Sequence, residues 1–255
     1  MDRAEPMKSL LVAVPTMGGI MKSKTAESLF LLSKALARNG INADIKNIDA
    51  SDVVTVRNLY ANMVLKSERW DGLLFVDSDM EFPPRLVLKM IALKAEAAAV
   101  AYPKKKIDLD AFAKAIREHG DIGKARAQSS DFNILLTWNN KERTPIRKRG
   151  GFCAMAAAGM GCSLIARTAL QALVEGKAVD RRVDVRNAVK EVSWGFFDPV
   201  KLGPIVLGED YSFWYRWTKS LGRDLWVCVD EEVRHVGDYG YSGLYSSLLP
   251  DIAAG

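Results

Sequence analysis

Short apolar runs alternate with helix-period patterns through the first hundred residues. Runs rich in valine, leucine and alanine occupy 9–16, 73–77 and 97–103, and a segment of alternating apolar and polar residues occupies 42–49. Between these segments, apolar residues recur at the three- and four-residue spacing of amphipathic helices. Because strands that alternate with helices form a parallel sheet covered on both faces, the pattern predicts an α/β fold with a central, mostly parallel sheet.

The helices between these strands carry start and stop signals. Ser23 is expected to cap the first helix and Gly40 to end it. A second helix is predicted over 53–67, and a third begins with Pro84 at its first helical position. The regular part of the chain therefore ends near residue 103.

The pattern is less regular after Pro103. The elements predicted there are a helix 109–119 ended by Gly120, a strand 132–138, two strand pieces within 152–166, a helix 167–175, a helix 211–221 ended by Gly222, and a strand 224–230. No linker rich in glycine, serine or proline separates the two parts. We therefore predict a single domain over 1–255, with a smaller mixed region behind the regular half.

Composition and charge narrow the class of protein. The chain has 255 residues, 49% of them hydrophobic and 26% charged, which is typical of a globular protein with a full core. The formal net charge of +5 favours anionic partners. We interpret the basic runs 104–106, 147–149 and 181–182 as solvated surface. The three cysteines show no CxxC spacing, so neither a zinc site nor a disulfide framework is indicated.

The N-terminal segment is polar and acidic rather than a signal sequence, and no apolar run approaches the length of a membrane span. These two features predict a cytoplasmic protein, with peripheral membrane contact as an open alternative.

Polar side chains follow three of the predicted strands at the point where each strand ends. Pro15-Thr16 and Asp49 end the first two, and Asp77-Ser78-Asp79 ends the third. Ligands of open α/β sheets bind at the carboxyl ends of the strands. Two carboxylates one residue apart can hold a divalent cation and a ligand hydroxyl, although an acidic turn or a helix cap is the alternative for an isolated DxD.

The second half of the chain supplies further candidates. His235 follows the last predicted strand and can be a metal ligand or a loop histidine, whereas His119, at a helix end, is assigned no role. Glu209 and Asp210 precede an aromatic helix, where Asp210 can be its N-cap, a general base, or both. The aromatic residues of this half, including Trp194 and Trp214, are either core or a surface on which a sugar ring stacks.

The order of these segments resembles the GT-A-fold glycosyltransferases, especially family-2-like members. The segments are VAVPT, RN at 57–58, FVDSDMEFPP, AYPKK, GMGCSLIARTAL, GEDYSFWYRW and RHVGDYGY, and together they cover roughly residues 9–240. The first turn, PTMGGIMKS, resembles neither a dinucleotide-binding GxGxxG motif nor a P-loop.

The resemblance implies a nucleotide-sugar donor, with UDP-sugar as the default, and a divalent cation, Mn²⁺ or Mg²⁺. It divides the chain into a donor-binding half (9–103), an acceptor and catalytic half (104–240) and a tail (241–255). The roles that it implies are donor contacts by Pro15, Thr16, Asp49, Arg57, Asp77, Ser78 and Asp79, metal ligation by Asp79 and His235, general base catalysis by Asp210 beside Glu209, and an acceptor side at Gly161, Trp194 and Trp214.

Two other functions stay open at this point. A sugar-phosphate nucleotidyltransferase has a similar sheet, but it requires a glycine-rich basic loop of which PTMGGIMKSK is a poor match. A non-catalytic basic module for nucleic acid or lipid accounts for the charge but not for the acidic residues at predicted strand ends. We therefore expect a glycosyltransferase that acts on a glycan or glycolipid hydroxyl, and no nucleic-acid partner.

Overall fold

The structure, a computed structural model, describes residues 7–139, 146–186, 189–237 and 240–248. The predicted tail 241–255 is therefore described only as far as Leu248, and the remainder of it lies outside the described residues. So do the first six residues of the chain.

Nineteen strands occur in the described residues. In chain order they are β1 (Ser9–Thr16), β2 (Asn42–Asp49), β3 (Gly72–Val76), β4 (Met80–Glu81), β5 (Ala97–Val100), β6 (Pro103–Ile107), β7 (Ser130–Phe132), β8 (Ile134–Leu135), β9 (Lys148–Arg149), β10 (Phe152–Met155), β11 (Ala157–Ala158), β12 (Cys162–Ala166), β13 (Arg181–Arg186), β14 (Val189–Trp194), β15 (Lys201–Leu202), β16 (Ile205–Val206), β17 (Leu225–Cys228), β18 (Val233–Val236) and β19 (Gly240–Gly243).

Seven α-helices accompany them in the same described residues. They are α1 (Ser23–Arg38), α2 (Val53–Lys66), α3 (Pro84–Ala92), α4 (Leu109–His119), α5 (Ile122–Gln128), α6 (Arg167–Glu175) and α7 (Glu209–Trp214). The last of them continues as a π-helix, Tyr215–Ser220, and a 3₁₀ turn follows at Tyr245–Leu248.

The central sheet has eight strands in the order β2-β1-β3-β12-β5-β17-β10-β9. Strand β1 pairs parallel with β2 and β3, and β5 pairs parallel with β17. Strand β12 lies antiparallel between β3 and β5, and β10 lies antiparallel to β17 and β9. Six of the eight strands thus run in one direction. The predicted α/β class with a mostly parallel central sheet is confirmed.

The sheet is buried on both faces because alternate residues of each strand enter different apolar clusters. Leu11 and Ala13 of β1 belong to the cluster that contains α2 and α6, whereas Leu10 and Val12 belong to the cluster that contains α1 and α3. These four β1 side chains have no exposed surface. Helices therefore cover both faces of the sheet, as the continuous apolar character of the strands predicts.

The start and stop signals hold for most elements. Pro84 is the first residue of α3, and Gly120 ends α4 with a left-handed φ of 63°. The prediction for Ser23 is wrong in detail: it is the first residue of α1, and the capping position is Lys22, which makes no side-chain cap bond. Asp52 is the side-chain cap of α2, where it accepts from the backbone of Val54 and Thr55.

The less regular half departs further from the prediction. The strand expected at 132–138 is interrupted, with β7 before Asn133 and β8 after it, and 152–166 contains three strand pieces rather than two. The sequence pattern did not reveal β6, α5, the β13–β14 hairpin or the β18–β19 pair. These elements are short or polar, and pairing to other segments determines them more than their own periodicity does.

Candidate active site

Two acidic segments from distant parts of the chain meet at one buried arginine. Asp77 follows the end of β3, and Glu209 begins α7. The guanidinium of Arg57, on α2, lies between them: its Nη2 donates to Asp77 Oδ1 at 2.9 Å, and its Nη1 lies 3.3 Å from Glu209 Oε1. Helix α2 holds Arg57 there because Val56 and Tyr60 are buried against the sheet.

The charge of Arg57 is secured by these neighbours. The residue is 4% exposed. Burial lowers the pKa of its guanidinium, but the charges of Asp77 and Glu209 outweigh burial and leave the pKa above its ordinary value. The Nη1 group faces Glu209 without hydrogen-bond geometry, and Nε has no hydrogen-bond partner among the described residues. Since buried donors are normally paired, Nε keeps an unused hydrogen bond that an acceptor on a bound ligand can take.

Asp79 and His235 are adjacent because the strand that follows Asp79 pairs with the strand that contains His235. Strand β4 pairs with β18, with Met80 opposite His235, and the Val236 amide donates to the Asp79 carbonyl at 2.7 Å. His235 Nε2 lies 3.4 Å from Asp79 Oδ2. The predicted pairing of these two residues is therefore present in the structure, but the strand that carries His235 is β18 and not the segment 224–230.

The ring of His235 is oriented by a backbone carbonyl. Its Nδ1 lies 3.1 Å from the Pro103 carbonyl oxygen, which accepts only, so that Nδ1 carries the proton of this bond. Its Nε2 faces the Asp79 carboxylate, where it donates a proton when the ring is charged and offers a lone pair to a cation when the ring is neutral. In either form, a positive charge at this position stabilises the contact between the two groups.

Lys105 brings such a charge to Asp79. Its Nζ donates to Asp79 Oδ2, the oxygen that also faces His235. Burial raises the pKa of the Asp79 carboxyl, but contacts with His235 and Lys105 outweigh burial and lower the pKa to about 2. The run 104–106 is exposed, as expected of solvated surface, and Lys105 in addition pairs with Asp79 from that surface. The sequence signal for this contact is that the basic run 104–106 directly follows the predicted strand 97–103.

Asp210 follows Glu209 at the start of α7. Its Oδ1 accepts from the Tyr211 amide at 2.7 Å, and Asn133 Nδ2 lies 3.5 Å from its Oδ2. Burial, together with the charge of Glu209, raises the pKa of the Asp210 carboxyl. The predicted N-cap role is wrong: Gly208 is the capping position and Asp210 is the second helical residue.

Two residues that the sequence pattern did not reveal connect Asp77 to Asp210. The buried Tyr102 hydroxyl accepts from the Gly161 amide and from Asn133 Nδ2, both at 3.2 Å. Gly161 in turn accepts from the Asp77 amide at 2.9 Å. Burial raises the pKa of the Tyr102 phenol, so that it stays neutral. Gly161, predicted on the acceptor side, therefore lies beside Asp77 and binds Tyr102 and Asp77 through its backbone.

A cleft of about 230 Å³ opens beside these groups. Its lining residues include, from the predicted set, Pro15, Thr16, Arg57, Asp77, Ser78, Asp79 and His235. Thr16 is buried, and its hydroxyl donates to Asn47 Oδ1 at 3.0 Å. Asp49 pairs with Thr16 in the sheet but is exposed and does not line the cleft, where Ala50 and Ser51 stand instead.

The two predicted acceptor-side tryptophans do not share a surface. Trp214 is fully buried and packs edge-on against Phe213, so it belongs to the core and exposes no face for stacking. Trp194 is partly exposed at the end of β14, where its backbone exchanges two hydrogen bonds with the Asn62 side chain. The aromatic spacing of the second half therefore reflects packing more than ligand contact.

A larger groove of about 850 Å³ lies along residues 134–139 and 218–225. Its described lining is apolar at Leu135, Leu136 and Trp138 and basic at Lys219 and Arg223. The Trp138 ring meets the Tyr211 ring edge-on at 6.4 Å, one residue after Asp210. Trp138 therefore connects the lining of the groove to the residue that follows Asp210.

The side chains of Asp79 and His235 fit a divalent cation in part. A carboxylate and a correctly oriented imidazole are suitable ligands, and the carbonyl bond to Nδ1 is the usual second contact of a metal-binding histidine. Within the described ranges, no group of three or more histidine, cysteine, aspartate or glutamate side chains is arranged around one point. A cation bound there needs further oxygen ligands from a bound molecule.

No protein-family model matches the chain, and no curated protein matches it significantly. Among solved structures, A197 from STIV aligns at a TM-score of 0.46 and 16% identity, over 90% of this chain and 86% of that one. The structure of GalNAc-T7 with UDP, GalNAc and Mn²⁺ aligns at 0.43 and 12% identity, over 91% of this chain and 44% of that one.

S. aureus TarS 1-349 in complex with UDP-GlcNAc aligns at a TM-score of 0.38 and 12% identity, over 92% of this chain and 58% of that one. This chain thus spans less than two thirds of GalNAc-T7 and of TarS 1-349 as solved. With all three TM-scores below 0.5, these likenesses do not identify the function. In the part of the chain that the structure describes, no helix has both the length and the apolar character needed to cross a bilayer.

Proposed function

We propose that this chain is a glycosyltransferase that moves a sugar from a nucleotide-diphosphate sugar to an acceptor hydroxyl. The observation that carries the proposal is the convergence on buried Arg57 of Asp77 and Glu209, with Asp79 and His235 on the same cleft. Such a site combines a place for a phosphate-bound cation with carboxylates for hydroxyl groups and proton transfer. The order of the sequence motifs supports the same class.

The donor occupies the 230 Å³ cleft in this proposal. Pro15, Thr16 and the segment after β2 contact the nucleoside, with UDP as the default. Asp77 accepts from a ribose or sugar hydroxyl, and Arg57 offers its unpaired Nε donor to an oxygen of the donor. Asp49 is exposed outside the cleft lining, so we place it at the rim rather than in direct contact.

Asp79 and His235 hold the divalent cation, Mn²⁺ or Mg²⁺. When bound, the cation neutralises charge on the diphosphate leaving group. The carbonyl of Pro103 keeps His235 Nε2 directed at this position, and the β4–β18 pairing fixes its distance from Asp79. The diphosphate oxygens complete the coordination that the two side chains leave open.

Asp210 is the general base, and its raised pKa suits that role because a more basic carboxylate accepts a proton more readily. The acceptor hydroxyl gives its proton to Asp210, and its oxygen bonds to the anomeric carbon. The bond from that carbon to the diphosphate oxygen breaks, and the diphosphate leaves with the electron pair. Attack opposite the leaving group inverts the configuration. Glu209 remains the partner of Arg57.

The acceptor enters from the larger groove beside Tyr211 and Trp138. Its apolar floor and basic edge at Lys219 and Arg223 suit a glycan or a glycolipid. We further propose that residues 1–255 act as one domain, since β12 from the second half lies between β3 and β5 of the first.

The test is to incubate the protein with a panel of UDP- and GDP-sugars, with and without Mn²⁺, and to measure the released nucleoside diphosphate. We expect metal-dependent release from at least one donor. Absence of release from every donor, together with absence of nucleotide binding by calorimetry, contradicts the proposal. Release of pyrophosphate from a nucleoside triphosphate and a sugar phosphate instead indicates a nucleotidyltransferase.

A further inference from the structure

Lys105 occupies a special position on its strand. Strand β6 pairs with β7 at Pro103 opposite Phe132 and at Ile107 opposite Ser130. Three residues of β6 therefore lie opposite the single residue Asp131, which makes the lysine run a bulge. Bulges redirect side chains, and here the Lys105 ammonium reaches Asp79 whereas that of Lys104 reaches Asp131, at 2.8 Å.

The oxygen that Lys105 contacts is the one that a metal needs. Asp79 Oδ2 accepts from Lys105 Nζ and faces His235 Nε2 at 3.4 Å. A divalent cation shared by Asp79 and His235 must approach this same oxygen. An ammonium and a divalent cation repel each other at such a separation, so the two compete for this oxygen.

We propose that Lys105 is a built-in counter-cation that holds Asp79 in the donor-free protein and must leave it when the divalent cation binds. The Lys105 side chain is 38% exposed, and its flexible four-carbon chain lets the ammonium move without a change of fold. This inference rests on the metal site of the proposed function. It adds that the positive charge of Lys105 weakens metal binding until a nucleotide-sugar donor binds.

The displaced ammonium has a partner when the donor is present. A diphosphate bound next to Asp79 offers anionic oxygens, so Lys105 exchanges a carboxylate for a phosphate contact. The donor gives the Lys105 ammonium a second anionic partner, and the metal displaces this ammonium from Asp79. Metal and donor consequently strengthen each other's binding. Lys105 therefore favours metal binding in the donor-bound protein over metal binding in the donor-free protein.

The experiment measures Mn²⁺ affinity by electron paramagnetic resonance without any nucleotide. Lys105→Gln removes the competing charge, and Mn²⁺ is expected to bind roughly five- to ten-fold more tightly than to the wild type, because the cation then neither displaces an ion pair nor meets the repulsion of the ammonium. Lys105→Arg keeps the charge and is expected to bind as the wild type does. Lys104→Gln is the matched control, with the same charge change one residue away.

Equal affinity in wild type and Lys105→Gln, or weaker binding by Lys105→Gln, overturns the inference. Equal tightening in Lys104→Gln also overturns it, because the effect is then one of overall charge. If no variant binds Mn²⁺, both the metal site and this inference fail, while nucleotide release measured without metal still decides whether the chain transfers sugar. Adding UDP gives a second measurement: it is expected to tighten Mn²⁺ binding more in the wild type than in Lys105→Gln.

Discussion

Arg57 is a permanently charged side chain in a nearly buried position, with two carboxylates as its counter-ions. Taking a guanidinium out of water costs several kcal/mol, and the nearby charges of Asp77 and Glu209 offset that cost. Removal of the arginine leaves the carboxylates in a partly desolvated place without their partner. The same pairing directs both acids at one point.

We therefore expect Arg57→Met to lower the free energy of unfolding by about 3 kcal/mol, because it leaves two largely buried carboxylates uncompensated. Urea denaturation followed by circular dichroism measures this change. The control is Arg69→Met, which removes a pair with Asp44 whose arginine side chain is 67% exposed, and whose loss is expected to cost at most about 1 kcal/mol. Equal losses in the two variants contradict the role of Arg57 as a buried counter-ion.

At Asp210, the expected effect is on chemistry rather than on stability. Asp210→Asn keeps an oxygen for the Tyr211 amide but cannot accept a proton, so transfer is expected to fall by about a hundred-fold to ten-thousand-fold. Calorimetry with UDP is expected to show unchanged nucleotide affinity. His119→Ala, at the end of α4, is the control and leaves transfer unchanged. Normal transfer by Asp210→Asn rules out its role as base.

The elements of the first half are determined mainly by local pattern, and their ends are fixed by polar contacts. Asp71 illustrates this: its Oδ2 accepts from the amides of Lys8 and Ser9 at 2.8 and 2.9 Å and from the Ser9 hydroxyl, so it joins the start of β3 to the start of β1. Burial raises the pKa of Asp71, but these hydrogen bonds outweigh burial and lower it.

A lowered folded-state pKa means that the ionised carboxylate stabilises the fold above its ordinary pKa of about 4, and that this contribution is lost as the pH falls through the lowered value. Asp71→Asn is therefore expected to cost about 1 kcal/mol at pH 7 and progressively less below pH 4. Urea titrations at pH 7, 5 and 3 measure the difference. Asp131→Asn, at an exposed ion pair with Lys104, is expected to change stability little at any pH, and a constant Asp71 effect down to pH 3 contradicts the argument.

Elements of the second half depend on distant partners, which explains why the sequence pattern located them poorly. Strand β12 has two antiparallel neighbours from the first half, and β18 is paired with the two-residue β4. Apolar periodicity predicts that a segment is a strand, but it contains no information about which strand lies beside it. The interruption of 132–138 at Asn133 has a similar cause, since that residue contacts Tyr102 and Asp210.

For the whole molecule, the two halves contribute to one cleft, so that a ligand bound there contacts both. A ligand that binds the folded state alone stabilises it, by about 2.7 kcal/mol at a hundred times its Kd. For a chain of this size we expect UDP with Mn²⁺ to raise Tm by roughly 5 to 10 °C under such conditions.

Differential scanning fluorimetry with UDP, Mn²⁺, both and neither measures this shift. Asp79→Asn is expected to retain the effect of UDP alone and to lose the additional effect of Mn²⁺. If the increase with UDP is the same with and without Mn²⁺ in the wild type, the cation does not bind jointly with the nucleotide, and the metal part of the proposal is wrong.

By itself, the sequence determined the α/β class, most elements of residues 9–103 and the position of Asp77 and Asp79 at a strand end. These features are local, since apolar spacing, capping residues and glycine stops act over a few residues. Local context also made His235, Glu209 and Asp210 candidates, and the resemblance of the motifs to a family added Arg57.

Only the tertiary structure decided which of these groups meet, because contacts between residues far apart in the chain depend on strand pairing and helix packing. It brought Arg57 between two acids, placed Trp214 in the core, and added Tyr102, Asn133 and Lys105 to the site. The acidic strand end alone was compatible with a turn. A buried arginine, a histidine and an exposed lysine surround this strand end in the folded protein. These neighbours give it the electrostatics of a binding site.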